Sequence, residues 1–196
     1  MIEIYDCSVF DVFSNVIAHQ VNCQGVMGSG VAKQIRDRYP EVYTQYKAVC
    51  EATTNKSKLL GKALIVEVPV NQMKTVRIAN LFAQFDYNRS YRQNTDVFTS
   101  VPDFRLSVIN LKDYANKWML ENWCHNFYIA MPYNIGCGRG GANWLEIEEI
   151  LIDEFARSDR ITLKLCRYKG DSNEPIADFD DLCGCRCSLV CTAQDF

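Results

Sequence analysis

Two glycine-rich stretches, each placed directly after an apolar run and directly before a helical pattern, constrain this chain more than any other feature. The first is Asn22-Cys23-Gln24-Gly25-Val26-Met27-Gly28-Ser29-Gly30, and the second is Pro132-Tyr133-Asn134-Ile135-Gly136-Cys137-Gly138-Arg139-Gly140-Gly141. In an α/β sheet, ligands sit where the carboxyl ends of strands meet the following turns. Glycine lets backbone N–H groups approach a ligand closely, and a helix N-terminus favours an anion. Two such loops in equivalent places could clasp a diphosphate from both sides without any lysine. One glycine-rich turn would carry little weight; the pair does.

The period of the apolar residues alternates along the chain between strand-like and helix-like. Met1–Tyr5 reads as a short strand and Asn15–Val21 as a buried one. A helix follows from about Gly30, and Pro40 interrupts it at the first turn of a second helix, Glu41–Cys50. Ala63–Val68 and Thr75–Phe82 read as strands, and Phe85–Asn94 as a polar, aromatic loop. A helix is predicted over Pro102–Leu120, with Phe104, Val108, Leu111 and Ala115 on one face. Phe127–Met131 is a buried strand. Asn143 caps the next helix, with Glu146 as capping-box partner, and Ile161–Cys166 is a final strand. Alternating strands and helices predict one mainly parallel or mixed sheet covered on both faces. The pattern stops near Lys169, so residues 1–168 form the predicted domain and 169–196 an acidic, cysteine-rich, poorly ordered tail.

Composition sets limits on partners. Of 196 residues 48% are hydrophobic and 23% charged, enough for a sizeable core, and the net charge of −3 argues against gripping a polyphosphate backbone by bulk charge. It leaves room for a small anion held by backbone N–H groups. The start of the chain lacks a basic region followed by an apolar stretch, and no run approaches the roughly 20 apolar residues of a membrane span. The expectation is a cytoplasmic, monomeric protein whose ten cysteines include free thiols used mainly as small hydrophobes. Cys183, Cys185, Cys187 and Cys191 are spaced more tightly than usual zinc ligands, so no metal site is assigned; lipidation and redox exchange stay open.

Known nucleotide motifs fit poorly. Gly28-Ser29-Gly30-Val31-Ala32-Lys33 begins like a dinucleotide fingerprint, but Lys33 stands where the third glycine belongs, and no P-loop is present. The stretch from His19 to Ala32 instead resembles the first ligand loop of macro domains, in the stand-alone branch found in bacteria, phages and fungi. Pro132–Gly138 resembles their phosphate loop, and Ile78-Ala79-Asn80-Leu81-Phe82 their middle strand. The resemblance covers about Met1 to Tyr168 and implies a three-layer α/β/α sandwich with a mixed, mostly parallel central sheet.

It also implies roles. Asp6 matches the aspartate that accepts a hydrogen bond from the adenine amino group, with Cys7 offering its N–H beside it. Asn22 matches the asparagine whose amide reaches the distal ribose. Gly28, Ser29, Gly30 and Val31 would line the diphosphate and distal ribose, and Ile135, Gly136, Cys137, Gly138 and Arg139 would cover the diphosphate from the other side. The implied partner is ADP-ribose or a derivative, without a cofactor, and with nucleic acid only as an ADP-ribosylated substrate. The expected activity is phosphate release from ADP-ribose 1''-phosphate. Alternatives are removal of ADP-ribose from modified protein or nucleic acid, reading without turnover, and sequestration of an ADP-ribose-like signal. Hydrolases of this kind that use a lysine after the middle strand differ here: that position is Gln84, and the second loop carries Arg139 rather than a carboxylate. For the attack of water, His19 and Asp86 are candidate bases beside Asn22, and the substrate's own diphosphate could serve instead.

Overall fold

The computed structural model describes residues 1–71, 75–87 and 96–168. Six strands are present there: β1 (Ile2–Tyr5), β2 (Val16–Asn22), β3 (Ala63–Pro69), β4 (Thr75–Gln84), β5 (Phe127–Pro132) and β6 (Ile161–Cys166). Four helices join them: α1 (Gly30–Arg38), α2 (Pro40–Ala52), α3 (Val101–Glu121) and α4 (Trp144–Phe155), with a short 3-10 turn at Lys56–Leu59. They build one sheet in the order β1-β6-β5-β2-β4-β3. Only the β3–β4 pair at the edge is antiparallel; the other neighbours are parallel.

Parallel strands in the middle of such a sheet are buried on both faces and read as continuous apolar runs. In β2, Val16 and Ala18 face the large core under α3 and α4, while Ile17 and Val21 face the core under α1 and α2. Phe104, Val108, Leu111 and Ala115 of α3 and Ile147, Ile150, Leu151 and Phe155 of α4 fill the first layer. Ile35 of α1 and Val42, Tyr46 and Cys50 of α2 fill the opposite one. The result is the three-layer α/β/α sandwich with a mixed, mostly parallel sheet.

Two strands run further than their apolar residues suggest. β2 reaches Asn22 and β4 reaches Gln84, because the two strands stay paired past an irregularity after Val21, ending on Asn22 opposite Gln84. α3 begins at Val101, with Ser100 accepting from Asp103 N–H, and Asn143 caps α4 by accepting from Leu145 N–H. The 3-10 turn was not foreseen; Asn55 starts it by accepting from Ser57 N–H. A buried ammonium steadies the segment after β1. Lys164 Nζ donates to Phe13 O at 3.1 Å and lies 5.3, 5.7 and 4.8 Å from the ring centres of Tyr5, Phe13 and Tyr128. No helix among the described residues is long and apolar enough to cross a membrane. The cysteine-rich tail lies outside the described residues.

Candidate functional site

β2 and β5 are parallel neighbours, so the loops that follow them leave the same edge of the sheet side by side. Loop one, between β2 and α1, is built around Asn22. Its Nδ2 donates to Val26 O at 2.7 Å, and its Oδ1 accepts from Gln24 N–H (2.9 Å), Val26 N–H (3.2 Å) and the Tyr46 hydroxyl (3.0 Å). Tyr46 reaches the Asn22 carbonyl as well, at 2.6 Å. The side chain that the family resemblance assigns to a ribose therefore also holds the loop from within.

Beyond it, Gly28 and Gly30 are exposed, and α1 begins at Ser29 without a side-chain cap. The first N–H groups of a helix have no partner inside it. The amides of Gly30 and Val31 thus open α1 without a side-chain acceptor, and no side chain caps this helix as Ser100 caps α3 and Asn143 caps α4.

Loop two, between β5 and α4, turns back on itself. Cys137 N–H donates to Asn134 O, Gly141 N–H to Gly138 O and Ala142 N–H to Gly136 O. Among the described residues, the amides of Ile135, Gly136 and Gly138 have no protein acceptor. Two kinds of glycine occupy this loop. A methyl group at Gly138 would meet nothing within 4 Å, whereas one at Gly136 would stand 2.7 Å from Gln20 Oε1 and one at Gly140 would overlap Thr99 Oγ1 and the Gly136 carbonyl. The first keeps space clear in front of the loop; the others let the loop lie on its floor. Arg139 is exposed at the tip.

Asp6 stands after β1 at the same edge. Its Oδ1 accepts from Arg167 Nε at 2.9 Å, and the Arg167 guanidinium lies 5.8 Å from the Tyr133 ring centre. Arg167 was not singled out in the sequence; its place is fixed because β6 runs beside β1 and Arg167 N–H donates to Tyr5 O. Cys7 is half-buried next to Asp6, and burial holds its thiol above its ordinary value. Burial likewise pushes Cys137 up to about 12, so neither sulfur is a thiolate nucleophile at neutral pH. A shallow depression over Pro40, Glu41, Thr44 and Gln45 lies on α2, apart from both loops.

Of the candidate bases, His19 is corrected by the structure. It points into the core, 2% exposed, with Nε2 and Asn80 Oδ1 2.8 Å apart. Desolvation lowers its pKa to about 4, against the Asn80 hydrogen bond that raises it. A ring sealed beneath α1 and α2 cannot take a proton from water at the loops. It does carry a stability consequence. Between pH 6.5 and about 4 the unfolded chain binds the proton that the folded chain refuses, so stability rises with pH across that window. The contribution is complete above pH 6.5 and is lost as pH falls through about 4. Its size is about 3 kcal/mol. In chemical denaturation at pH 7 and pH 4, His19→Gln is expected to lose less stability on acidification than the wild type; an equal loss would contradict this.

Asp86 stands beside loop one. Its Oδ1 accepts from Tyr87 N–H at 2.8 Å, its carbonyl accepts from Gln84 Nε2 at 2.8 Å, and Cys23 N–H donates to the Gln84 and Phe85 carbonyls. Gln84 itself is held, its Oε1 accepting from Gln20 Nε2 at 2.7 Å. Thr99 and Gln20, which bind loop two from below, were missed. Gln20 was visible only as a polar residue near a strand end, and nothing in the local pattern marks Thr99.

The comparisons with known proteins agree with the α/β/α fold. No family model matches the chain. A Scheffersomyces stipitis protein named ADP-ribose 1''-phosphate phosphatase is 40% identical over 145 residues, covering 69% of this chain and 81% of that protein. A Mycobacterium tuberculosis protein named DNA ADP-ribosyl glycohydrolase is 26% identical over 142 residues; they cover 72% of this chain, which spans only 35% of that relative's length. Among solved structures, the macrodomain of Mycobacterium tuberculosis DarG matches with a TM-score of 0.62 at 23% identity, covering 86% of this chain and 97% of that one. The chain belongs to the macro domain family.

Proposed function

We propose that this macro domain binds ADP-ribose across its two loops and hydrolyses ADP-ribose 1''-phosphate, releasing inorganic phosphate. One observation carries the reading. Among the described residues, the backbone amides of Gly30 and Val31 on one side, and of Ile135, Gly136 and Gly138 on the other, have no protein acceptor, and all lie at the carboxyl ends of neighbouring strands. Unpartnered amides at a helix N-terminus and in a glycine loop bind an anion without a lysine. Asp6 lies at the same edge, where a carboxylate would accept from the adenine amino group. Gly28, Ser29, Cys137 and Arg139 complete the loop walls, with Asn22 shaping the first of them.

The phosphatase reading agrees with the name of the Scheffersomyces relative. Glycohydrolysis, the activity in the mycobacterial relative's name, is the second reading. It is disfavoured by Gln84, an uncharged side chain tied to Gln20 and to the Asp86 carbonyl where a lysine-dependent reaction would need an ammonium. In the phosphatase reaction water adds at phosphorus, the phosphorus–oxygen bond to the ribose breaks, and the ribose oxygen takes a proton. In this reading Asp86, whose carbonyl is tied to Gln84 beside loop one, supplies the carboxylate that orients or deprotonates that water.

The test is parallel incubation with ADP-ribose 1''-phosphate and with ADP-ribosylated DNA, products being separated by chromatography. Phosphate release from the first is expected, slowed about 100-fold in Asp86→Asn. Release of ADP-ribose from DNA alone would favour the second reading. Binding of ADP-ribose with no turnover of either substrate would make the chain a reader and contradict the enzyme.

A further inference from the structure

We infer that Thr99 and Gln20 form a positioning junction that presets loop two for the diphosphate. The inference rests on the ADP-ribose reading and adds to it two residues outside the loops.

Thr99 is 5% exposed, and its hydroxyl is used in both directions: Oγ1 accepts from Gln20 Nε2 at 2.7 Å and donates to Gly136 O at 2.9 Å. A hydroxyl has one proton, so this orientation is fixed by its neighbours. Gln20 Nε2 gives its second hydrogen to Gln84 Oε1. The backbone joins in, since Phe98 N–H and Thr99 N–H both donate to Gly140 O, at 2.9 and 3.0 Å, and Ser100 N–H donates to Ala83 O. Residue 99 therefore grips loop two at Gly136 and again at Gly140, while β2 and β4 hold residue 99 through Gln20 and Gln84.

The Gly136 carbonyl is the sensitive point. A peptide unit is planar, so fixing its oxygen fixes the N–H on the other side. Here the oxygen is held by Thr99 and by Ala142 N–H, and the N–H of Cys137 is held by Asn134 O. With that plane locked, the peptide units that carry the Gly136 and Gly138 amides are anchored at one end, which narrows the range over which those amides turn. Donors fixed in advance need no reorganisation when the anion arrives. The remaining polar atom of Gln20 faces loop two. Gln20 Oε1 is buried and finds no hydrogen-bond partner among the described residues, pressed against Gly136.

The test compares Thr99→Val, which keeps the shape and removes the hydroxyl, with Thr99→Ser, which restores it. Each is titrated with ADP-ribose by calorimetry and with adenosine by NMR. Thr99→Val is expected to lose about tenfold or more in ADP-ribose affinity. Adenosine affinity should be unchanged, and Thr99→Ser should return ADP-ribose affinity to near wild type. A purely structural role would weaken both ligands together. Equal losses for the two ligands, no loss at all, or failure of serine to rescue would each overturn the junction. Should Thr99→Val fail to fold, Gln20→Met, which removes the donor to Thr99, is expected to give the same phosphate-selective loss; an ADP-ribose affinity equal to wild type would overturn the junction. Wild-type protein that does not bind ADP-ribose would overturn the underlying reading too, which separates the two failures.

Discussion

Gly138→Val is expected to lower ADP-ribose affinity about 100-fold, or about 2.7 kcal/mol, while leaving the thermal midpoint close to that of the wild type. Among the described residues, a methyl group at this position meets no atom within 4 Å. The backbone there does not have the positive φ that would strain a side chain. The residue is exposed, so little packing changes. What the valine would fill is the space in front of the Gly138 amide, where the account places the diphosphate. Calorimetric titration together with a melting curve separates the two effects. Unchanged affinity in a folded variant would mean that the ligand does not approach this face of loop two.

Gly140→Ala, two residues further on, is expected to act through the opposite mechanism. The added methyl would run into Thr99 Oγ1 and the Gly136 carbonyl, one of them backbone and the other held by Gln20. Neither can move without breaking the hydrogen bonds that seat the loop. Overpacking of this kind costs about 3 kcal/mol, which for a domain of this size lowers the midpoint by about 8 °C. ADP-ribose affinity should fall as well, since the Gly136 and Gly138 amides lose their fixed directions. A midpoint within about 2 °C of wild type would show that the floor under loop two yields, and would weaken the case for a preset loop.

These two glycines also show where the sequence was informative and where it was silent. The pattern of strand, glycine loop and helix was readable at both loops because β2 and β5 are buried on both faces and contrast sharply with the turns that follow. The chain order of strands and helices was readable for the same reason. The division of labour within a loop was not. Gly138 and Gly140 look alike in a sequence, and only the return of residues 96–100 beneath the loop makes one of them sterically obligatory. Thr99 lies 79 residues from the Gln20 that orients it. His19 misled because a polar residue near a strand end resembles a site residue; its partner Asn80 is 61 residues away, and the pair closes inside the core. Asn22 was legible as a residue of loop one, but not its bond to Tyr46, 24 residues away on α2. In each case the missing information is long-range register, which side-chain periodicity does not encode.

In the proposed binding mode, backbone amides from the ends of two neighbouring strands enclose one diphosphate. A crystal structure of the full chain with ADP-ribose tests it most directly. Diphosphate oxygens are expected within about 3 Å of amide nitrogens from both Gly30–Val31 and Ile135–Gly138. A diphosphate contacting one loop only, or a ligand bound elsewhere on the molecule, would contradict it.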